Sequence, residues 1–378
     1  MKKIPFWETD VGNKDYEYQK KIFSLNYPNE GEYVKKLEDK VKKILQVKFC
    51  TALPSGTSAM FVALKILNLK SDDEVIVPNI TFAATANAVS MASAKVVLVD
   101  VNTETLNIDI NDLKKKINKK TKVIMPVHIS GRSCDMTNII KIAKKKKIKV
   151  IEDAAEAFLS KNKKKYLGTI GDMGCFSLSP NKIFTSGQGG LLVTNNKKYF
   201  DKIKVFKTQG RVGITSGGDD LHISKGGNFK LSNISAGLAL SQLSYIYKRK
   251  KKLIQNYKIY KKNLNFKQFK ILKFDVNNKE FVIPGSAFGL VKMSTKKRTN
   301  VKFPLQWMNH VVDTDFINKL VDQYAGPKSK SYGLIRTFIN ATKNPETLKK
   351  FTNVLVKDYG EEMSPALNKN VQIGGGLH

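Results

Sequence analysis

The chain is poor in several residue types, and each shortage removes a class of protein. Its 378 residues include three cysteines, two tryptophans and four histidines. Cys50, Cys134 and Cys175 show no metal-ligand spacing, and their odd number argues against a disulfide framework. No metal is expected. No run of about 18 apolar residues is present, so no membrane-spanning helix is expected. The first residues lack a basic-then-apolar leader, and the expectation is a cytoplasmic protein with no membrane partner. Acidic residues are scarce as well: 32 Asp and Glu stand against 66 Lys and Arg, a net charge of +34.

That charge admits two readings. One is a nucleic-acid or acidic-membrane partner. The other is a compositional bias toward lysine, spread over solvated faces. The lysines fall in short scattered groups, such as Lys114 to Lys116, Lys144 to Lys147 and Lys250 to Lys252. No aromatic-interleaved basic stripe accompanies them. The second reading is adopted, and no nucleic-acid partner is expected. A positive field would still attract a phosphorylated small molecule.

With 41% hydrophobic residues, a chain of this length builds a large core and a smaller second domain. Residues 1 to 30 read as a polar, irregular N-terminal arm. Val34, Leu37, Val41, Ile44 and Leu45 recur at helical spacing and predict a helix over Glu32 to Val47. Ser55-Gly-Thr-Ser58 then opens an apolar helix. Its hydroxyls and first-turn N–H groups suit a phosphate, although an ordinary Ser/Thr cap has the same pattern. Strands are predicted at Glu74 to Pro78, Lys95 to Val99, Lys122 to Val127 and Lys149 to Asp153, with helical segments between them. This alternation predicts an α/β fold, a mainly parallel mixed sheet flanked by helices. Chemistry collects at the C-terminal ends of such strands. Asp153 stands at one of these ends, where a helix N-cap is the competing reading.

Lys182 draws attention by its setting. It lies between the strand-like Gly174 to Leu178 and the turn Gly187-Gln-Gly-Gly190, among hydroxyls and glycines and nearly without charge. Residues 207 to 227 read as a mobile glycine-rich loop carrying Arg211 and His222. A long basic helix, Ser244 to Leu264, leads toward the second domain. The expected division is an arm over 1–30, a large domain over 31–250 and a smaller α/β domain over 251–378 with a frayed tail.

Eight motifs in order resemble the DegT/DnrJ/EryC1/StrS family of sugar aminotransferases. They are Ser55-Gly-Thr-Ser-Ala59, Thr81-Phe-Ala-Ala-Thr85, Pro126-Val-His128 with Gly131, Glu152-Asp-Ala-Ala155, Gly171-Asp-Met-Gly-Cys-Phe-Ser177, Asn181-Lys182 through Gly190, Gln209-Gly-Arg211, and Gly227-Asn-Phe-Lys230 with Gln242-Leu243. The resemblance covers about residues 30 to 245. It implies the aspartate-aminotransferase fold, fold type I of the pyridoxal 5'-phosphate enzymes. It further implies that Lys182 forms the Schiff base and moves the proton, and that Asp153 pairs with the pyridine nitrogen. Gly56, Thr57, Ser58 and Ser177 would hold the phosphate. Phe82 would stack on the ring, and Asn228 would reach the phosphate from the partner of a homodimer with shared active sites. The implied reaction moves an amino group from glutamate, by way of the pyridoxamine form, to a nucleotide-diphospho-keto-(6-deoxy) sugar at C4, as in polysaccharide biosynthesis. His128, Arg211 and Lys230 are the candidate substrate contacts.

Three departures from the family pattern are visible. Glu156 stands where a glutamine is frequent, near the cofactor's phenolic oxygen. That arrangement predicts a raised pKa for the Schiff base or a protonated Glu156, unless the carboxylate is paired. Ser130 replaces a frequent aromatic, and His128 is read as orienting its loop or touching cofactor rather than as a general base. Residues 285 to 378 do not match the family's substrate loop. Two rival readings remain. A dehydratase of the same fold would carry His in place of Lys182. A catalytically impaired regulatory or nucleic-acid-binding relative would have no need of Lys182, Asp153 and Ser177 together.

Overall fold

The structure is a computed structural model that describes residues 9–214 and 218–263, with two further two-residue strands at 270–271 and 290–291. The chain divides into two compact units, the first comprising residues 1–265, 271–288 and 305–310. The fold and site described here belong to that first unit. The expected smaller domain, with the stretch 285–378 expected to depart from the family pattern, lies almost wholly outside the described residues. Helix α9 (Ile246–Asn263) crosses the expected boundary at 250 without a break.

Seven strands build the central sheet: β1 (Phe49–Leu53), β2 (Glu74–Pro78), β3 (Lys95–Val99), β4 (Thr121–Ile124), β5 (Lys149–Asp153), β8 (Met173–Ser177) and β9 (Gly190–Thr194). Their order is β1-β9-β8-β5-β4-β2-β3. All neighbours are parallel except β9, which runs antiparallel to both β1 and β8. The central strands are buried on both faces, which is why Val75-Ile-Val77 and Val150-Ile151 read as apolar runs rather than as an alternation. Two short hairpins, β6/β7 (Lys161–Asn162 and Lys165–Tyr166) and β10/β11 (Arg211–Ile214 and Asp220–His222), stand apart from the sheet.

The pleat assigns the two faces. Val75, Val77, Val123, Ile151 and Cys175 pack under α3 (Gly56–Lys65), α4 (Ala83–Met91) and α7 (Lys197–Lys207). Their strand neighbours Ile76, Ile124, Val150 and Phe176 point the other way, toward α2 (Glu32–Leu45), α5 (Ile110–Lys116), α6 (Met136–Lys146) and α8 (Asn233–Leu243). Helix α2 shows why such basic helices hold. It buries Tyr33, Val34, Leu37, Val41 and Leu45, each worth roughly 1.5–3 kcal/mol. Its Lys36–Glu32 ion pair is more than half exposed and adds at most about 0.5 kcal/mol. Packing decides.

The N-terminal arm departs from its sequence reading. Residues 13–24 form helix α1 (Asn13–Ser24), which lies on α8. A Cβ at Gly237 would come within 2.0 Å of the Ile22 side chain, so the small residues of α8 are what admit α1. The segment 207–227, expected as a loop, contains the hairpin β10/β11. Among the described residues no helix is long and apolar enough to cross a membrane.

Gly190 begins β9 where the sheet meets the start of α3. A Cβ there would lie 2.1 Å from the Ser55 carbonyl oxygen and 2.7 Å from the Gly56 nitrogen, both backbone atoms. Gly190→Ala is expected to cost about 2–3 kcal/mol, the scale of overpacking against a rigid neighbour. A urea-unfolding midpoint equal to that of the parent would show that α3 can move away freely.

Candidate active site

Six of the seven strands run in one direction, and several of the predicted residues gather at their C-terminal ends. The end of β5 is the deepest point. Asp153 is 4% exposed. Its Oδ2 accepts a hydrogen bond from the Thr85 hydroxyl at 2.8 Å, and its Oδ1 accepts one from the Ala155 N–H at 3.1 Å. The residues after it form turns, not a helix, so the N-cap reading of Asp153 does not hold. Burial holds this carboxyl above its ordinary value of 3.8. Thr85, Ala155 and Lys182 pull it down, and Glu156 adds to the rise. A buried carboxylate aimed at a strand end is suited to pair with a cation that a ligand brings.

Thr85 was missed as a site residue, although it closes the motif Thr81-Phe-Ala-Ala-Thr85. Its hydroxyl also meets that of Thr81 at 2.7 Å. The available signal is the pair of threonines that brackets the start of α4. Phe82 occupies the N-cap position of α4 and is 54% exposed despite its ring. An exposed aromatic one turn from Thr85 provides a flat apolar surface at the start of α4.

The anion end lies at α3. Ser55 caps the helix and accepts from the Ser58 N–H at 3.0 Å. The capping and phosphate readings are therefore compatible, because capping leaves the first-turn N–H groups of Gly56 and Thr57 directed beyond the helix. Ser177, at the end of β8, sits against this turn: a Cβ on Gly56 would lie 3.0 Å from the Ser177 Cβ. The Ser177 and Ser179 hydroxyls are 2.9 Å apart. Two strand ends and one helix start thus bring Gly56, Thr57, Ser58 and Ser177 together.

Lys182 stands on a loop closed at its neck. Leu178 N–H donates to Gly189 O, and Leu178 O accepts from the Ser186 N–H and the Thr185 hydroxyl. The Lys182 side chain is 15% exposed, and its Nζ donates to Glu156 Oε1 at 3.3 Å. Glu156 Oε2 accepts from the Ser130 N–H at 2.9 Å. Both carboxylate oxygens act as acceptors, so Glu156 is paired in this arrangement. Ser130 donates from the left-handed region, φ 51°, an uncommon conformation for a side chain of its type and one that places its N–H on the carboxylate. Buried Arg132 lies within electrostatic range of Glu156; burial pulls its pKa down to about 10 against the opposing influence of that carboxylate.

His128 corrects an expectation. Its ring is 1% exposed. Nδ1 accepts from the Cys134 N–H at 3.2 Å, so Nε2 carries the proton and donates to Glu152 Oε2 at 2.9 Å. Glu152 in turn accepts from the N–H groups of Gly168, Ile170 and Gly171. A ring engaged on both sides inside the protein cannot meet a sugar. His128 joins Glu152 on β5 to Cys134, at the far end of the loop that carries Ser130. Arg211 and Lys230 are not brought to this site within one chain. Arg211 pairs with Asp220 at 2.9 Å on the exposed hairpin β10/β11. Lys230 and Asn228 are exposed on the segment that follows it. Among the described residues no three His, Cys, Asp or Glu side chains gather as a metal site.

An amine, a buried carboxylate and an anion-receptive helix start at the strand ends of a mainly parallel sheet define an α/β enzyme that holds a phosphorylated ligand. The chain belongs to the DegT/DnrJ/EryC1/StrS aminotransferase family, whose profile matches residues 10–344. It is 38% identical over 269 residues to the GDP-perosamine synthase of Escherichia coli O157:H7, covering 70% of this chain and 72% of that one. Matches to three further curated relatives span 54 to 66% of their lengths. Among solved structures it resembles the Helicobacter pylori aminotransferase PseC of pseudaminic acid biosynthesis, with a TM-score of 0.67 and 26% identity over 72% of this chain and 73% of that one. A putative sugar aminotransferase from Streptococcus pneumoniae in its PMP form shares the fold, with a TM-score of 0.70 and 22% identity over 75% and 77% of the two chains.

The raised Asp153 pKa has a consequence for stability. Above pH 3.8 the unfolded chain releases this proton while the folded chain keeps it until its own higher pKa is passed. Through that interval the Asp153 contribution falls as pH rises. Asp153→Asn removes the dependence. The cofactor-free variant should therefore gain stability relative to the parent as pH rises from about 4. Urea unfolding of both proteins at several pH values tests this; a difference that stays constant with pH would contradict it.

Proposed function

We propose that this chain is a pyridoxal-phosphate-dependent aminotransferase that moves an amino group from glutamate to a nucleotide-diphospho-keto-(6-deoxy) sugar, at C4. The observation that carries the reading is the convergence of Lys182, Asp153 and the start of α3 on one strand-end site. When bound, the cofactor supplies an electrophilic aldehyde and an electron sink. The residues present fit it: Asp153 is an acceptor without solvent at a strand end, α3 and Ser177 form an anion cradle, and Phe82 offers an exposed ring.

In this reading Lys182 supplies the nucleophilic amine and then moves the proton at the donor carbon. It must shed its own proton first. Glu156, 3.3 Å from Nζ, holds the ammonium in place and orients it, while the Ser130 N–H fixes Glu156. Asp153 keeps a pyridine nitrogen protonated, and Thr85 keeps Asp153 turned toward it. Gly56, Thr57, Ser58 and Ser177 bind the phosphate. Glutamate as donor and C4 as the position follow the family resemblance. The sugar class is supported by the name of the relative that is 38% identical, a GDP-perosamine synthase.

Asn228 would complete the phosphate site of a partner chain in a homodimer, and Arg211 and Lys230 would meet that partner's substrate. Exposed large apolar side chains on the same segment support the pairing of two copies: Val212, Leu221 and Ile223 are 46%, 44% and 65% exposed.

Two experiments test these statements. The purified protein with pyridoxal phosphate, glutamate and a panel of nucleotide-linked keto sugars should yield an amino sugar by mass spectrometry, and Lys182→Ala should yield none. Normal turnover by that variant would end the assignment. Separately, Lys182→Ala and Asn228→Ala chains, mixed and reassembled, should form hybrids with one native site. Activity that never exceeds the sum of the two separate variants would remove Asn228 from the partner's site.

A further inference from the structure

The Lys182 loop is stitched at its neck, but its tip is held from outside. Arg249, on α9, donates from Nη1 to the carbonyl oxygen of Ile183 at 3.2 Å, the residue next to Lys182. The same nitrogen donates to Gln242 Oε1 on α8. Nη2 donates to the Asp10 carbonyl at 2.7 Å and to Asp10 Oδ2 at 3.3 Å. One guanidinium thus joins the catalytic loop, a core helix and the N-terminal segment.

The other members of this cluster are tied down as well. Gln242 Nε2 donates to the Asp10 carbonyl at 3.0 Å and to Asp15 Oδ2 at 2.9 Å. Asp15, 1% exposed, also accepts from the Ser241 hydroxyl. Thr9 Oγ1 donates to the Pro180 carbonyl, at 3.3 Å, on the other side of the tip. Gln242 belongs to a motif to which the chemistry above gives no role. The side chain at 249 is also chemically telling: only five of the 66 basic residues are arginine, in a chain that uses lysine wherever a solvated charge suffices. A planar, multi-donor group is needed to serve acceptors on three elements at once, and an ammonium cannot do so.

We propose that Arg249 is a positioning residue for Lys182. Its guanidinium, anchored by Gln242 and Asp10, fastens the tip of the 178–189 loop, so that the Lys182 amine is presented in one orientation toward Asp153 and Glu156. The N-terminal segment is thereby part of the active-site support. The statement about the amine rests on the reading of Lys182 as the cofactor-bonding residue; the statement about the loop does not.

The test uses the full cofactor-free chain. Hydrogen–deuterium exchange is followed in peptides spanning 178–189 and in the central strands, for the parent, Arg249→Ala and Arg249→Lys. In parallel, pyridoxal phosphate is added, the adduct is reduced with borohydride, and its rate of appearance on Lys182 is read by mass spectrometry. Arg249→Ala should speed exchange in 178–189 about tenfold and slow capture at Lys182 by about the same factor, the scale of one charge-assisted hydrogen bond. Exchange in β4, β5 and β8 should not change, and added guanidinium ion should restore part of both effects. Arg249→Lys should fall between, and it carries the same comparison if the alanine variant does not fold. Exchange in 178–189 within about twofold of the parent, or acceleration spread evenly over the strands, would overturn the proposal. A parent that never captures the cofactor at Lys182 would defeat the reading of the site while leaving the exchange comparison to decide the clamp.

Discussion

Asp153 carries its carboxyl group at the end of a strand with neighbours on both sides, where water cannot solvate it. Burying such a group is unfavourable unless it is neutral or well bonded. The surrounding structure answers with two donors, the Thr85 hydroxyl on α4 and the Ala155 N–H just after β5. Neither donor neutralises the charge. The site is left with an acceptor that a cationic ring nitrogen would complete. The parallel register of β4, β5 and β8 carries this arrangement, because it brings the Val127, Asp153 and Ser177 ends to one edge of the sheet.

A second layer of polar contacts supports that edge. Glu152 and His128 form a sealed pair that organises two loops, 128–134 and 168–171, without touching solvent. Through the first loop this pair sets the Ser130 N–H on Glu156, and Glu156 holds Lys182. The chain of contacts runs from a buried imidazole to the amine of Lys182. Preorganisation of this kind places a reacting group before any ligand arrives. Arg249 bonds the same loop through its backbone, at the Ile183 carbonyl.

The positive charge of the chain plays a smaller part in the site than its size suggests. The cofactor end is nearly without lysine apart from Lys182. Where lysines meet carboxylates at the surface, as in Lys36–Glu32 and Lys197–Asp201, the side chains are about half exposed or more. Such pairs contribute little to stability. Their collective field still favours the approach of a diphosphate.

Much of this protein can be read from the order of its residues alone. The alternation of apolar runs and helical segments gives a mainly parallel α/β sheet, since each period exposes one way of burying a face. The Ser55 to Ser58 turn, Asp153 at the end of β5 and Lys182 between strand and glycine turn are local patterns, and local patterns survive in sequence. Other features arise only when distant segments meet. Thr85 was visible as a residue but acquires a role only through Asp153, 68 positions away. His128 resembles a reactive histidine in sequence, and only the fold encloses it against Glu152 and Cys134. Helix α1 is too polar to announce itself; its docking depends on the small residues of α8, more than 200 positions later. Arg249 sits in a run of lysines, and nothing local distinguishes it from them. Hydrogen bonds between remote segments carry no sequence period, so tertiary structure alone decides which polar groups become the machinery and which remain solvated charge.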